Sequence, residues 1–161
     1  MQVKFKKLRP DAITPTYATD GSAGLDFYLP RAYWSNNKLS GNSTYLTGKS
    51  PMTVHTGISV EIPEGYAMLL LSRSGHGIKH AIRLANCVGL IDADYRGEIV
   101  IKLSMDDLSC YVRYNNRRHI FNVGDRIAQG VIVPVPKIEL VEVDELSETA
   151  RGEGGFGSTG K

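Results

Sequence analysis

Cysteine is almost missing from this chain: Cys87 and Cys110 are the two it has. They form neither a close pair nor a zinc-like spacing, so free thiols in a reducing compartment are expected. Long apolar runs are missing too, and no stretch approaches the roughly 18 residues of a membrane span. The basic start, Met1-Gln2-Val3-Lys4-Phe5-Lys6-Lys7, has no apolar segment behind it. A cytoplasmic protein without a membrane partner is therefore expected. Neither charge dominates, with 19 basic against 17 acidic residues and a formal charge of +2. That balance argues against a nucleic-acid polymer as a stable partner, while a small anionic ligand remains open. His76 and His80 are four apart, but glycine and lysine surround them and no carboxylate pair is near, so no metal site is expected there.

A helical stripe is the last absence, since no window of a dozen residues carries one. The periodicity that is present is two. Val54, Thr56, Ile58, Val60 and Ile62 share one side of an extended run that ends at a Pro63-Glu64-Gly65 turn. Tyr66 to Leu71 is a short apolar run, and Glu98 to Leu103 alternates around Ile99, Ile101 and Leu103. Ile127 to Val135 and Ile138 to Val143 read as two further strands, broken at Pro134 and Pro136. The fold class is all-β, with one domain over 1–150 and a flexible glycine-rich end over 151–161. The acidic run Asp144 to Glu148 with Thr149 is expected to turn before that end. Trp34 to Ser50 and Asp106 to His119 are polar and read as long loops or insertions. Arg113, Arg117, Arg118, Tyr111 and Tyr114 make the second a solvated hairpin tip, with an extra protein partner left open.

Chemistry-bearing residues gather in five places. The end of the chain sets five glycines around Arg151, Phe156, Ser158 and Thr159. Glycine loses the most backbone entropy on ordering, so this segment suits a lid that closes on a polyanionic, planar ligand. Arginine, hydroxyls and backbone N–H groups fit phosphate, and the ring fits a base. A frayed tail is the plainer reading of the same composition. Ala23-Gly24-Leu25-Asp26 is the first internal cluster. Leu71-Ser72-Arg73-Ser74-Gly75 follows a strand with a guanidinium and hydroxyls suited to phosphate. The third, Asn86 to Glu98, offers an amide, Asp92, Asp94 and Tyr95 on a hairpin, or equally an Asp/Gly-rich turn. Gly124-Asp125-Arg126-Ile127-Ala128-Gln129 enters a strand with a glutamine and an Asp/Arg pair that is otherwise a surface salt bridge.

Taken together and in this order, the five clusters over residues 23–160 resemble the homotrimeric dUTPases. The resemblance implies a distorted jelly-roll β-barrel, a homotrimer with active sites shared between subunits, and hydrolysis of dUTP to dUMP and pyrophosphate. That reaction limits uracil in DNA and supplies dUMP. By resemblance Asp92 is the base that activates water for attack on the α-phosphorus, a role that needs an oriented water more than a covalent nucleophile. Tyr95 packs under the deoxyribose, and Asn86 and Gly89 read uracil, with Phe156 stacked on it. Arg73, Ser74, Gly75, Gln129, Arg151, Gly157, Ser158 and Thr159 are carried over as phosphate-binding. The implied cofactor is Mg²⁺ chelated by the phosphates, which Asp26 meets indirectly, through water. Ser72, His76 and Gly130 depart from the family pattern, which often has proline at the first, an apolar residue at the second and a larger apolar side chain at the third.

Two other functions fit parts of this pattern. A dCTP deaminase shares the fold, but its motif needs a glutamate where Lys102 stands. A regulatory binding protein that uses nucleotide as a signal keeps every motif, and release of pyrophosphate from dUTP separates it from an enzyme.

Overall fold

The computed structural model describes residues 1–31, 42–48, 50–106 and 118–155. Among these, the period-two patterning resolves into eleven strands and one short helix. The strands are β1 (Lys4–Lys7), β2 (Leu25–Tyr28), β3 (Ser43–Thr47), β4 (Met52–His55), β5 (Ile58–Glu61), β6 (Tyr66–Leu71), β7 (Ile82–Leu84), β8 (Gly89–Ile91), β9 (Val100–Met105), β10 (Arg118–Asn122) and β11 (Arg126–Pro134). The helix α1 spans Ser74–His80. No helix among the described residues is long and apolar enough to cross a membrane.

Four antiparallel sheets surround one core. Their strand orders are β1-β5, β10-β3, β2-β11-β6-β8 and β4-β9-β7. The alternating residues meet inside: Val54, Ile58, Met68, Leu84, Ile101, Leu103 and Phe121 are buried in a single cluster. Each such aliphatic or aromatic side chain contributes roughly 1.5–3 kcal/mol when taken out of water.

The extended run from 54 to 62 is two strands rather than one. Gly57 breaks it with a φ of 73°, and a Cβ built there would stand 2.7 Å from the Ala12 Cβ. The chain needs glycine both for that left-handed bend and for the close approach. The polar stretches expected as loops also contain structure. Ser43–Thr47 and Arg118–Asn122 pair with each other, with Thr47 opposite Arg118 and Ser43 opposite Asn122. Leu46 and Phe121 go fully into the core from these strands. The expected strand Ile138–Val143 is absent, because Pro134 and Pro136 remove ladder donors and the chain leaves the sheet. Residues 135–150 run exposed and outside any strand, with bends at Asp144 and Ala150.

Candidate active site

β11 is the strand that gathers the site. It lies between β2 and β6, with Gln129 opposite Asp26 on one side and Leu71 on the other. A bulge between Arg126 and Ala128 interrupts its ladder with β2. The Asp26 carboxylate is 1% exposed, and two guanidiniums cover it. Arg126 Nη1 donates to Asp26 Oδ2 at 3.2 Å, and Arg73 Nε lies 3.3 Å from Oδ1. The second pair is too poorly aligned for a hydrogen bond, so Oδ1 and Arg73 Nε are both buried without one. Arg73 also donates from Nη1 to the Arg126 carbonyl at 3.4 Å. Three clusters far apart in sequence thus close on one another as a basic edge. The salt bridge expected between Asp125 and Arg126 is not formed: Arg126 turns to Asp26, and Asp125 Oδ2 accepts the Asn122 N–H at 2.7 Å.

Arg73 is also where β6 turns into α1. His76 and Gly77 donate their N–H groups to its carbonyl at 3.1 Å, and Ala81 ends the helix in the left-handed region. A first helical turn leaves its leading N–H groups without a partner in the helix, and here those belong to the exposed Ser74 and Gly75. Two departures from the family pattern have structural roles in this region. Ser72 Oγ accepts the Leu84 N–H at 2.9 Å, tying the turn to β7. The His76 ring stands edge-on to Phe121 at 5.2 Å and to His119 at 5.6 Å. Burial, then the charges of Arg73, His119 and His80, push His76 down to about 4 against the pull of Asp125. Gly130 is explained by close packing, since a Cβ there would stand 2.8 Å from Phe27 Cε2 and 3.0 Å from Met68 Sδ.

The third cluster does not fold back on itself as a hairpin. β8 pairs with β6, while the chain returning into β9 pairs with β4 and β7. Asn86 and Gly89 come together at the start of β8, where a Cβ on Gly89 would lie 3.5 Å from the Asn86 amide nitrogen. Cys87 between them has a φ of 62° and an exposed thiol. Asp92 then stands exposed at a turn closed by the Tyr95 N–H on its carbonyl at 3.2 Å. It lines a cavity of about 590 Å³ together with Glu64, Tyr66, Arg96, Val135 and Lys137. The Tyr95 hydroxyl donates to the Glu98 carbonyl at 2.9 Å.

Sequence reading did not single out Glu98 itself. Its Oε1 accepts from Arg9 Nη1 at 2.9 Å and from the Gly57 N–H at 2.6 Å, and Oε2 accepts from His55 Nδ1 at 2.8 Å. Burial alone would raise this carboxyl, but the bonds from His55 and Gly57 and the Arg9 charge hold it below the usual range. No local pattern announces the hub, because its three donors come from two distant segments, the N-terminal one and the β4–β5 corner.

The β6–β8 register sets how far apart these parts are. Ile91 faces Met68 and Gly89 faces Leu70, so Asp92 sits beside the start of β6 while Arg73 lies beyond its end. Some six residues of extended chain separate the two levels, roughly 20 Å at 3.3 Å per residue. Within one chain, Asp92 and the basic edge do not meet. Arg151, in the exposed end, donates from Nε to the Gly154 carbonyl at 2.7 Å. Phe156, Gly157, Ser158 and Thr159 lie outside the described residues, as does Cys110.

Comparison with known proteins adds a second line of evidence. The dUTPase family model matches residues 11–160. The chain is 41% identical over 160 residues to a deoxyuridine 5'-triphosphate nucleotidohydrolase of Hydrogenobaculum sp., covering 99% of each chain. It is 43% identical to the protein of the same name from Hahella chejuensis, covering 99% of this chain and 95% of that one. The fold is similar to that of the Staphylococcus bacteriophage 80alpha dUTPase with dUPNHPP, at a TM-score of 0.76, 30% identity and 99% coverage of both chains. That structure is reported with phage dUTPases that control transfer of virulence genes. A mutant dUTPase from phage phi11 of S. aureus, reported to coordinate a structural Mg(II) ion, superposes at a TM-score of 0.70 with 26% identity, covering 90% of this chain and 98% of that one.

Proposed function

The chain belongs to the dUTPase family, and on that premise we propose how its residues divide the work of hydrolysing dUTP. It is an enzyme, a dUTP diphosphatase with the all-β fold of that family. The phosphates lie along the basic edge, where Arg73, the Ser74 and Gly75 N–H groups and Gln129 receive them. Asn86 and backbone groups near Gly89 read the uracil edge, and Tyr95 packs under the deoxyribose and excludes a 2′-hydroxyl. Asp92 orients the attacking water and takes its proton as the oxygen approaches the α-phosphorus in line.

The observation that carries this division is the separation of Asp92 from Arg73 along β6. A single triphosphate does not span both within one chain, so the site is completed by a neighbouring copy in a homotrimer. The exposed run at 135–150 supports the same assembly, because the apolar side chains of Ile138, Leu140 and Val141 stand exposed. A third subunit supplies Arg151, Phe156, Gly157, Ser158 and Thr159 as the closing end.

Magnesium fits the residues present in one respect: Asp26 offers a single buried carboxylate beside Arg73, at the edge proposed to hold the phosphates. This suits an ion that keeps its waters and takes its other ligands from phosphate. Asp26 Oδ1, buried without a hydrogen bond, is the protein oxygen suited to receive one of those waters. When bound, the ion neutralises charge on the phosphates. The chain's own part is to hold Asp26 and Arg73 in place for it.

A screen of the common nucleoside triphosphates for pyrophosphate release tests the activity. It should single out dUTP, and a protein that binds dUTP without releasing pyrophosphate would refute the reading. Light scattering should find a trimer, and a fully active monomer would refute the shared site. A regulatory second role is supported only by the phage relatives. If it resides in the polar insertions, deleting residues 107–117 will leave dUTP turnover unchanged.

A further inference from the structure

The loop carrying Asp92 and Tyr95 is fastened to the rest of the molecule at Glu98, a side chain that no step above uses. Three donors from the N-terminal segment and the β4–β5 corner converge on its carboxylate: Arg9 Nη1, the Gly57 N–H and His55 Nδ1. The Ser59 hydroxyl donates to the Arg96 carbonyl at 2.7 Å, so the same stretch is also held one residue before Gly97. The Tyr95 phenol rests on the part held in this way. Its hydroxyl donates to the Glu98 carbonyl, and its ring lies so close over Gly97 that a Cβ there would meet Tyr95 Cε2 at 2.8 Å.

We propose that Glu98 is a positioning residue for sugar selection: its clamped carboxylate fixes the carbonyl that holds the Tyr95 ring where a deoxyribose fits and a ribose does not. The inference rests on the reading of Tyr95 as the floor beneath the sugar. Excluding one hydroxyl depends on where the ring stands, and displacements of about 1 Å are enough to undo such a fit. Tyr95 is 42% exposed, so its position depends on the Glu98 carbonyl and the absent side chain at Gly97. Glu98→Gln probes the clamp at constant volume. A glutamine oxygen still accepts from Arg9 and Gly57, but its amide can bond His55 Nδ1 only in the imidazole tautomer that accepts there, so the charge-assisted bond to the carboxylate is lost.

The test is a double-mutant cycle on the preference for dUTP over UTP. Wild type, Glu98→Gln, Tyr95→Phe and the double variant are compared by kcat/KM, with Tyr95→Ala as the reference for a missing floor. Each single variant is expected to lower the preference roughly 3- to 10-fold, the size of one lost neutral hydrogen bond. The double variant is expected to lose no more than the worse single, because both changes cut the same link. Independent, multiplying losses would overturn the proposal. So would wild-type preference in Glu98→Gln and Tyr95→Phe beside a lost preference in Tyr95→Ala, which leaves the sugar reading standing. Unchanged preference in Tyr95→Ala itself removes the sugar reading, and the positioning role with it, while leaving dUTP hydrolysis untouched. If Glu98→Gln fails to fold, His55→Ala replaces it, and the same non-additivity with Tyr95→Phe is required.

Discussion

The two ends of β6 differ in how much of their chemistry is already assembled. Beyond Leu71, a buried carboxylate holds two guanidiniums drawn from separate segments, and the main-chain turn of α1 is tied to β7 through Ser72. Beside Tyr66, Asp92 is exposed on a turn at the mouth of an open cavity. On the proposed division of work, the contrast follows from what each end binds. A basic edge for phosphate must keep like charges together before the ligand arrives, and a buried counter-charge does that locally. A base that positions water needs walls on several sides, and one chain supplies only some of them. On that reading one end is preorganised by its own sequence, and the other depends on assembly.

The sharpest way to break this comparison is to damage the two ends in different chains. Asp92→Asn alone should lower pyrophosphate release by about 10²- to 10⁴-fold, the cost of losing a positioned base, without changing thermal stability. Arg73→Ala should be similarly poor. When the two inactive variants are unfolded together and refolded, roughly a quarter of the sites should combine an intact Arg73 with a neighbour's intact Asp92, because assembly of a symmetric oligomer is random. Turnover near a quarter of wild type would result. A mixture as dead as its parts would place Asp92 and Arg73 of the same chain in one site.

Removing the counter-charge is expected to have the next largest effect. Asp26→Ala should destabilise the protein by about 2–3 kcal/mol. This is below the 3–5 kcal/mol of a fully buried pair, because the freed guanidiniums can turn to water. Chemical denaturation measures it, and a loss under 1 kcal/mol would mean that the edge is not held by Asp26. The tail should behave in the opposite way. Cutting after Ala150 removes residues whose described part is largely exposed, so the thermal midpoint should stay put while turnover collapses. Phe156→Ala should reproduce part of that loss, since a base stacked on a ring is worth roughly 1–3 kcal/mol. Undiminished turnover in the truncated protein would reduce this end to a solvated tail.

These contrasts were unevenly legible in the amino-acid sequence. Tyr66 to Leu71 reads directly as the strand it forms, because an apolar run between two turn signals has few alternatives. The pairing of β3 with β10 does not, since Ser43-Thr44-Tyr45-Leu46-Thr47 buries alternate residues with hardly any hydrophobic contrast. Asp26, Arg73 and Arg126 are each recognisable as motif residues. Their mutual contact is not, because the Asp26–Arg126 bond joins positions 100 apart and the sequence offers Asp125 as a nearer partner. The alternation at Ile138 to Val143 is genuine, yet it pairs with no strand among the described residues. Periodicity records which face will be covered, not which molecule covers it.

The smallest expected effect returns to the preorganised end and reads its stability through pH. His76 is held neutral in the fold, with its titration pushed down to about 4 by burial and by the positive charges of Arg73, His119 and His80. Burial and the His80 charge lower His119 as well, against a smaller opposing pull from Asp125. In the unfolded chain a histidine takes its proton near its ordinary value of about 6.5. The unfolded state therefore binds more protons at mildly acidic pH, and stability must rise with pH across that window. The contribution is fully present above about 6.5 and is lost as pH falls toward the folded value near 4. Partial exposure of both rings reduces the effect, so a loss on the order of 1 kcal/mol is expected between neutral pH and pH 5. His76→Leu should flatten that slope and be the more stable protein at pH 5, because an apolar side chain against Phe121 has no proton to take up. Thermal midpoints of the two proteins from pH 7 to 5 decide the matter. Parallel curves would show that the histidine cluster does not couple the helix beside the phosphate edge to pH.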